Sequence, residues 1–116
     1  MAESTSPENK ITTYAEFWPF YLEEHRKPTT RNLHYFGTTL GLTTAIVALV
    51  TQTWWLLAVA FVSGYLFAWI GHFFVEKNRP ATFTYPLWSF VSDFRMYWRW
   101  ATGRLSADFK RFNIPQ

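Results

Sequence analysis

From Leu33 through Val75 the chain carries no Asp, Glu, Lys or Arg. That run is about 43 residues, and two membrane spans need roughly 20 each. Near its middle lies one polar cluster, Thr51-Gln52-Thr53, which reads as the tip of a hairpin. The pattern predicts a first span over about 35–50 and a second over about 54–75. The first carries Thr38, Thr39, Thr43 and Thr44, tolerable in lipid because a threonine hydroxyl can bond the carbonyl one turn back. Gly37 and Gly41 form a GxxxG, and Gly64 and Ala68 repeat the small-xxx-small spacing. Small residues let backbones approach where no hydrophobic effect draws helices together. The predicted fold class is therefore all-α, an integral membrane protein whose transmembrane helical hairpin is flanked by amphipathic, interfacial helices.

The flanks carry helix signals of their own. Thr13-Tyr14-Ala15-Glu16 is a capping box opening an aromatic helix from Tyr14 to about His25, with a kink expected at Pro19. Pro28 separates it from the next helix, for which Thr29 or Thr30 is the expected cap. Asn78-Arg79-Pro80 should stop the second span. Another helix, about 87–102, begins near Pro86, with Leu87, Phe90, Val91, Phe94, Tyr97, Trp98 and Ala101 on one face. Ser92, Arg95 and Arg99 lie on another face. With charges inside it this is no third span but a helix in the headgroup layer, and Gly103 is its expected C-terminal cap. Three parts are thus expected: a disordered lead over 1–13, a single membrane domain over 14–104, and a basic tail over 105–116 without a clear pattern. The polar, acidic opening from Met1 to Lys10 does not read as a signal peptide.

Composition sharpens this picture. Aromatics are 22% of the 116 residues and charged residues only 16%, against about 25% in soluble domains. Many Trp and Tyr suit the two membrane interfaces. The formal charge is +3, without the long basic run of a nucleic-acid binder, so the bilayer is the expected partner and nucleic acid is not. Arg26, Lys27 and Arg31 precede the first span, Lys77 and Arg79 follow the second, and the tip has no basic residue. The positive-inside rule then puts both termini in the cytoplasm, in a multi-pass protein expected in a bacterial inner membrane. Absence of cysteine excludes thiolate metal sites and a cysteine nucleophile.

Chemistry points to three histidines. His34 lies about 17 residues before the tip and His72 about 18 after Trp54, so both stand roughly 26 Å from the tip at one depth. His25, nine residues before His34 and across the Pro28 turn, can fold back to the same level. Three converging imidazoles are a metal-site pattern. Glu76, four residues after His72, or Asp93 is a candidate further ligand. With nitrogen and oxygen donors alone, iron(II), zinc, manganese and copper all fit. The plainer readings are interfacial histidines, Glu76 paired with Arg79 or Lys77, and Asp93 paired with Arg95 or Arg99. Asn32, Glu76 and Asp93 are candidates to orient the imidazoles, with Ser89 sharing the Asp93 face.

The run Phe17-Trp18-Pro19-Phe20-Tyr21-Leu22-Glu23-Glu24-His25 with Arg31-Asn32-Leu33-His34-Tyr35-Phe36-Gly37 resembles the opening block of one membrane family. So do Gly71-His72-Phe73-Phe74-Val75-Glu76-Lys77-Asn78-Arg79-Pro80-Ala81-Thr82-Phe83, Tyr85-Pro86-Leu87-Trp88-Ser89 and Asp93-Phe94-Arg95-Met96. It is the family of the yeast endoplasmic-reticulum 2-hydroxy-fatty-acid dioxygenase, and the likeness covers about residues 14–104. It implies iron(II)-dependent α-oxidation, in which a 2-hydroxy fatty acid and O2 give a fatty acid one carbon shorter. It maps the family's histidines onto His25, His34 and His72 as metal-binding, catalytic residues. Arg31 or Arg79 is then a candidate for the substrate carboxylate, which a guanidinium matches with two parallel hydrogen bonds.

The competing expectation is a non-catalytic membrane module that binds lipid or a protein partner. A transporter subunit using His72 and Glu76 would need a homo-oligomer, since two spans enclose no pathway; the oligomeric state stays open.

Overall fold

The computed structural model describes residues 10–116, and all its regular elements are helical. The lead up to residue 9 lies outside the described residues. The last part of the lead is tied down, since the Ile11 N–H donates to the Tyr85 hydroxyl at 3.0 Å. Helix α1 spans Tyr14–Glu23, and the Thr13 hydroxyl accepts from the Glu16 N–H at 3.3 Å, one half of a capping box. Pro19 sits within α1 without ending it.

Helix α2 spans Pro28–Thr51, so the expected cap helix and first span are one element. Neither Thr29 nor Thr30 caps it. Pro28 occupies the first turn, where its missing N–H costs nothing, and the flanking residue is Lys27. Gln52 turns the chain in the left-handed region (φ 55°), and the Thr53 N–H reaches the Ala48 carbonyl at 3.0 Å. The tip is where the polar cluster predicts it. Helix α3 spans Leu56–Ile70 and continues as one π-helical turn, Gly71–Glu76. Lys77, at φ 61°, ends it. A Cβ on Gly37 would stand 3.0 Å from the Gly64 carbonyl oxygen, and one on Gly41 equally close to that of Ala60. The hairpin thus closes backbone to backbone along the predicted small-residue stripe.

Both hairpin helices are long and apolar enough to cross a membrane, and only 22% of their most apolar stretch is buried. Buried core helices would hide these side chains; here Ile46, Val50, Trp55, Phe61, Val62 and Leu66 are exposed, Val50 by 78%.

The conventional core lies at the open end of the hairpin. Phe17, Trp18, Tyr21 and Leu22 of α1 pack with Tyr85 and Met96. A 3-10 turn, Ala81–Phe83, leads to helix α4, Pro86–Ala101. Gly103 follows at φ 74°, as its predicted capping role requires. The tail forms helix α5, Leu105–Arg111, which buries Leu105, Asp108 and Phe109 in the same core. The sequence signal for it is weak because it is short and because its buried Asp108 depends on a remote partner. Arg99 grips that carboxylate through Nε and Nη2 at 2.7 and 2.8 Å.

Helix α4 packs with its polar side inward. Ser89, Ser92 and Met96 are buried, while Leu87 (79% exposed), Val91, Phe94 and Trp98 face out. Arg95 lies over the Trp18 ring at 4.1 Å. Inward serines find hydroxyl partners, Ser92 with Tyr14 at 2.8 Å and Ser89 with Thr82 at 3.1 Å. Phe90 on the edge of the apolar face stacks on Phe61 at 6.1 Å and Tyr97 meets Thr39 at 2.7 Å, while Leu87, Val91 and Trp98 stay exposed.

Candidate metal centre

His25 follows α1 directly, His34 stands in the second turn of α2, and His72 sits in the π-helical turn. Four hydrogen bonds and one close approach bring these segments together. Nη1 of Arg31 donates to the carbonyls of His25 and Arg26 at 2.7 and 2.8 Å, which folds the Pro28 turn back on α2. Glu76 Oε2 accepts from the Lys27 N–H at 2.6 Å, and Lys27 Nζ donates to the Val75 carbonyl at 3.0 Å. Gly71 lies against Thr30, where a Cβ would stand 3.0 Å from the threonine methyl. The π-turn spends one residue more per hydrogen-bonded ring than an α-turn, a local widening frequent at functional sites.

The three rings are buried, at 1% exposure for His25, 5% for His34 and 3% for His72. Nε2 of His25 lies 3.0 Å from Nε2 of His34, which lies 3.3 Å from Nε2 of His72. One ligand atom from each falls within 4.8 Å of the others. Imidazole nitrogens held about 2.1 Å from one metal stand about 3.0 Å apart at right angles and about 3.4 Å apart at tetrahedral angles.

The proton positions show why these atoms suit a cation. His25 Nδ1 lies 2.6 Å from the Tyr21 carbonyl, an acceptor only, so it carries the proton and leaves Nε2 a bare lone pair. His72 Nδ1 lies 2.8 Å from Asn78 Oδ1. Asn78 cannot be flipped, because its Nδ2 donates to the Glu24 carbonyl at 3.2 Å. His72 Nδ1 is therefore also the donor, and its Nε2 is bare. His34 stands between and can offer a proton to one of them. At least one buried lone pair is then unmatched in a neutral cluster, whereas a cation at the focus satisfies all three.

Burial, and next the charges that His72 and His34 could carry, holds His25 well below the usual imidazole range, in the neutral form that binds metal. Asp93 Oδ1 lies 3.7 Å from His34 Nδ1 and accepts the Tyr21 hydroxyl at 2.5 Å. Burial pushes the Asp93 carboxyl up to about 7, against the pull of that hydrogen bond.

The other candidate residues are distributed as follows. Asp93 is beside His34, outside the Nε2 focus. Glu76 pairs with the Lys27 backbone, and neither carboxylate makes the arginine or lysine pair that the plainer reading expects. Asn32 is exposed, and Ser89 bonds Thr82. The acceptors that fix the ring nitrogens are the Tyr21 carbonyl, Asn78 and, at longer range, Asp93. Asn78 is absent from the sequence-based candidates because it is six residues from His72, off any α-helical face; the helix stop at Asn78-Arg79-Pro80 was the available signal. Arg31 is buried over the Phe109 ring and spends Nη1 on carbonyls. Arg79 lies over Phe83, and neither arginine lines the apolar groove that reaches His34.

No curated protein and no solved structure matches the chain. A family model, 2-hydroxy-palmitic acid dioxygenase Mpo1-like, matches residues 11–105 and so takes in all three histidines and the whole hairpin. By that match over most of its length, the chain belongs to the Mpo1-like family.

Proposed function

We propose that the protein is an iron(II)-dependent dioxygenase that shortens 2-hydroxy fatty acids by one carbon at the edge of a membrane. The observation that carries the reading is the convergence of three buried Nε2 atoms, two of which have their Nδ1 protons committed to other acceptors. His25, His34 and His72 would hold the metal. Iron(II) held there by three imidazoles would supply the chemistry of O2 activation beside the substrate's 2-hydroxy acid head. The reaction balances when R–CH(OH)–COOH and O2 give R–COOH, CO2 and water.

This chain's residues supply the setting. Tyr21 and Asn78 fix the rings of His25 and His72 through Nδ1, and Asp93 faces Nδ1 of His34. The hairpin is the transmembrane element, with the basic residues 26, 27, 31, 77 and 79 at its cytoplasmic base. The outward apolar face of α4 rests in the headgroup layer, which puts the metal where a lipid head meets water. Arg79, at that base but outside the groove that reaches His34, is a guanidinium that a carboxylate would meet on approach, before it reaches the histidines; Arg31 serves the Pro28 turn.

Iron content and product analysis test the proposal together. Purified protein should bind one iron per chain and convert 2-hydroxyhexadecanoic acid to pentadecanoic acid with O2 uptake. Alanine at any one of the three histidines should lower metal content sharply and abolish turnover while helical content is kept. Full metal occupancy in the three variants would overturn the ligand set. A folded wild-type protein that takes up no metal would favour the non-catalytic membrane module.

A further inference from the structure

A groove of about 310 Å³ runs between the hairpin and α4, within the usual size range of small-molecule sites. His34 and Asp93 line one end. Its floor is the small-residue stripe of Gly37, Gly41 and Gly64, and Phe61 and Phe90 wall it. Ala45 and Leu57 lie at the far end, toward the tip. From His34 to Ala45 is 11 residues of α2, or about 16 Å. One leaflet of a hydrocarbon core about 30 Å thick is about as long. His34 belongs to both the groove lining and the histidine cluster, so the inner end of the groove abuts the candidate metal centre at that ring, which His25 and His72 flank from outside the lining.

The groove's chemistry is that of an amphiphile. Its acid–base side chains, His34 and Asp93, are both at the inner end, Thr38 and Tyr65 add hydroxyls, and the rest of the lining is apolar. The stripe explains why there is room. The glycines bring α2 and α3 together without filling the space above their seam, and α4 roofs it with Phe90 and Phe94.

We propose that this groove is the acyl-chain subsite: one alkyl chain of the substrate lies along the glycine stripe, its carboxyl end at His34 and Asp93 and its methyl end at Ala45 and Leu57, so that groove length sets the preferred chain length. The inference rests on the proposed oxygenase reading for the identity of the head, and on the groove alone for the path of the chain. The head is then at the polar base of the hairpin and the methyl end at membrane depth, as in an unperturbed lipid leaflet.

The far end is the place to test it, because neither Ala45 nor Leu57 touches the histidines. Ala45→Phe fills the groove and Leu57→Ala lengthens it. With iron-loaded protein and 2-hydroxy acids from decanoic to octadecanoic, Ala45→Phe should lower the ratio of kcat/KM for hexadecanoic over decanoic acid by about tenfold or more. Each methylene left unburied costs a factor of about four. Leu57→Ala should raise the octadecanoic-to-hexadecanoic ratio. A variant that is only destabilised would lower all lengths together, and unchanged ratios in both variants overturn the subsite while leaving the oxygenase reading standing.

A second readout does not depend on turnover. A 2-hydroxy acid with a mid-chain diazirine should photolabel α2 between Gly37 and Ala45, or Phe61 or Phe90, and unlabelled 2-hydroxyhexadecanoic acid should displace it. Labelling confined to other surfaces overturns the proposal. So does equal displacement by phosphatidylglycerol vesicles, which marks a general lipid groove, or replacement of groove labelling by a chain-to-chain contact there. Specific groove labelling in a protein that turns over no 2-hydroxy acid would sink the oxygenase reading and keep the alkyl-chain site.

Discussion

Asn78 holds His72 from outside the helix that carries it: Oδ1 stands 2.8 Å from Nδ1 of the ring, and Nδ2 donates to the Glu24 carbonyl at 3.2 Å. One amide thereby fixes a tautomer and ties the π-turn to the end of α1.

Asn78→Ala should therefore weaken metal binding by about 10–100-fold, the usual effect of losing a group that orients a ligating histidine. Asn78→Asp keeps the acceptor but loses the donor to Glu24, and should retain more affinity than alanine. Competition with a chromophoric chelator measures both. Equal affinities for wild type and Asn78→Ala would show that the π-turn alone aims the ring.

Acid should act on this centre at lower pH than on a free imidazole. Burial holds His25 well below its ordinary value, so between that lowered value and about 6.5 the unfolded chain binds more protons than the folded one. Stability of the metal-free protein rises with pH across that window and falls as the solution is acidified through it. Metal should stay bound at pH 6.5 and leave only under stronger acid. Thermal unfolding and metal content followed from pH 7.5 to 4.5 check both signs; metal loss centred at 6.5 would contradict the burial.

Gly71→Ala should cost about 1–3 kcal/mol, as overpacking does, because its Cβ would meet the Thr30 methyl at 3.0 Å. Thr30→Ser removes that methyl, and the Thr30→Ser/Gly71→Ala pair should recover most of the loss. Denaturant unfolding of the four proteins gives the coupling. Additive losses would mean that the backbone of Thr30, at 3.4–3.5 Å, is the obstacle.

Topology is directly accessible, since the chain has no cysteine of its own. A cysteine placed by Gln52→Cys, at the tip, should be labelled by a membrane-impermeant maleimide from one side only of oriented vesicles, the side away from the termini. Lys77→Cys should be labelled only from the opposite side. Labelling of both from one side would exclude the proposed crossing.

The outline of the fold was legible because lipid-length helices leave a signal in charge alone. The charge-free run, the Thr51-Gln52-Thr53 tip and the glycine stripe each rest on one local rule. The common depth of His34 and His72 follows from helix rise. Other features depend on partners remote in sequence. Asn78 orients His72 across a turn whose π-geometry no periodicity announces. Glu76 has a backbone N–H at Lys27 for a partner rather than the neighbouring Arg79 or Lys77. The serine face of α4 reads as the outward side by polarity, yet it is buried because hydroxyls from Tyr14 and Thr82 await it. Polarity predicts exposure only where water is the partner on offer.

The three imidazoles belong to three separate segments: the end of α1, the second turn of α2 and the turn that follows α3. An ion at their focus would be a fastener between the head of the molecule and both legs of its hairpin. Binding energy for such an ion adds to folding energy, since the unfolded chain presents no assembled site. The folded fraction of the protein would then rise with the supply of that metal. Without it, α1 would be held to the hairpin by packing and hydrogen bonds alone, among them Tyr21 to Asp93 and Asn78 to the Glu24 carbonyl.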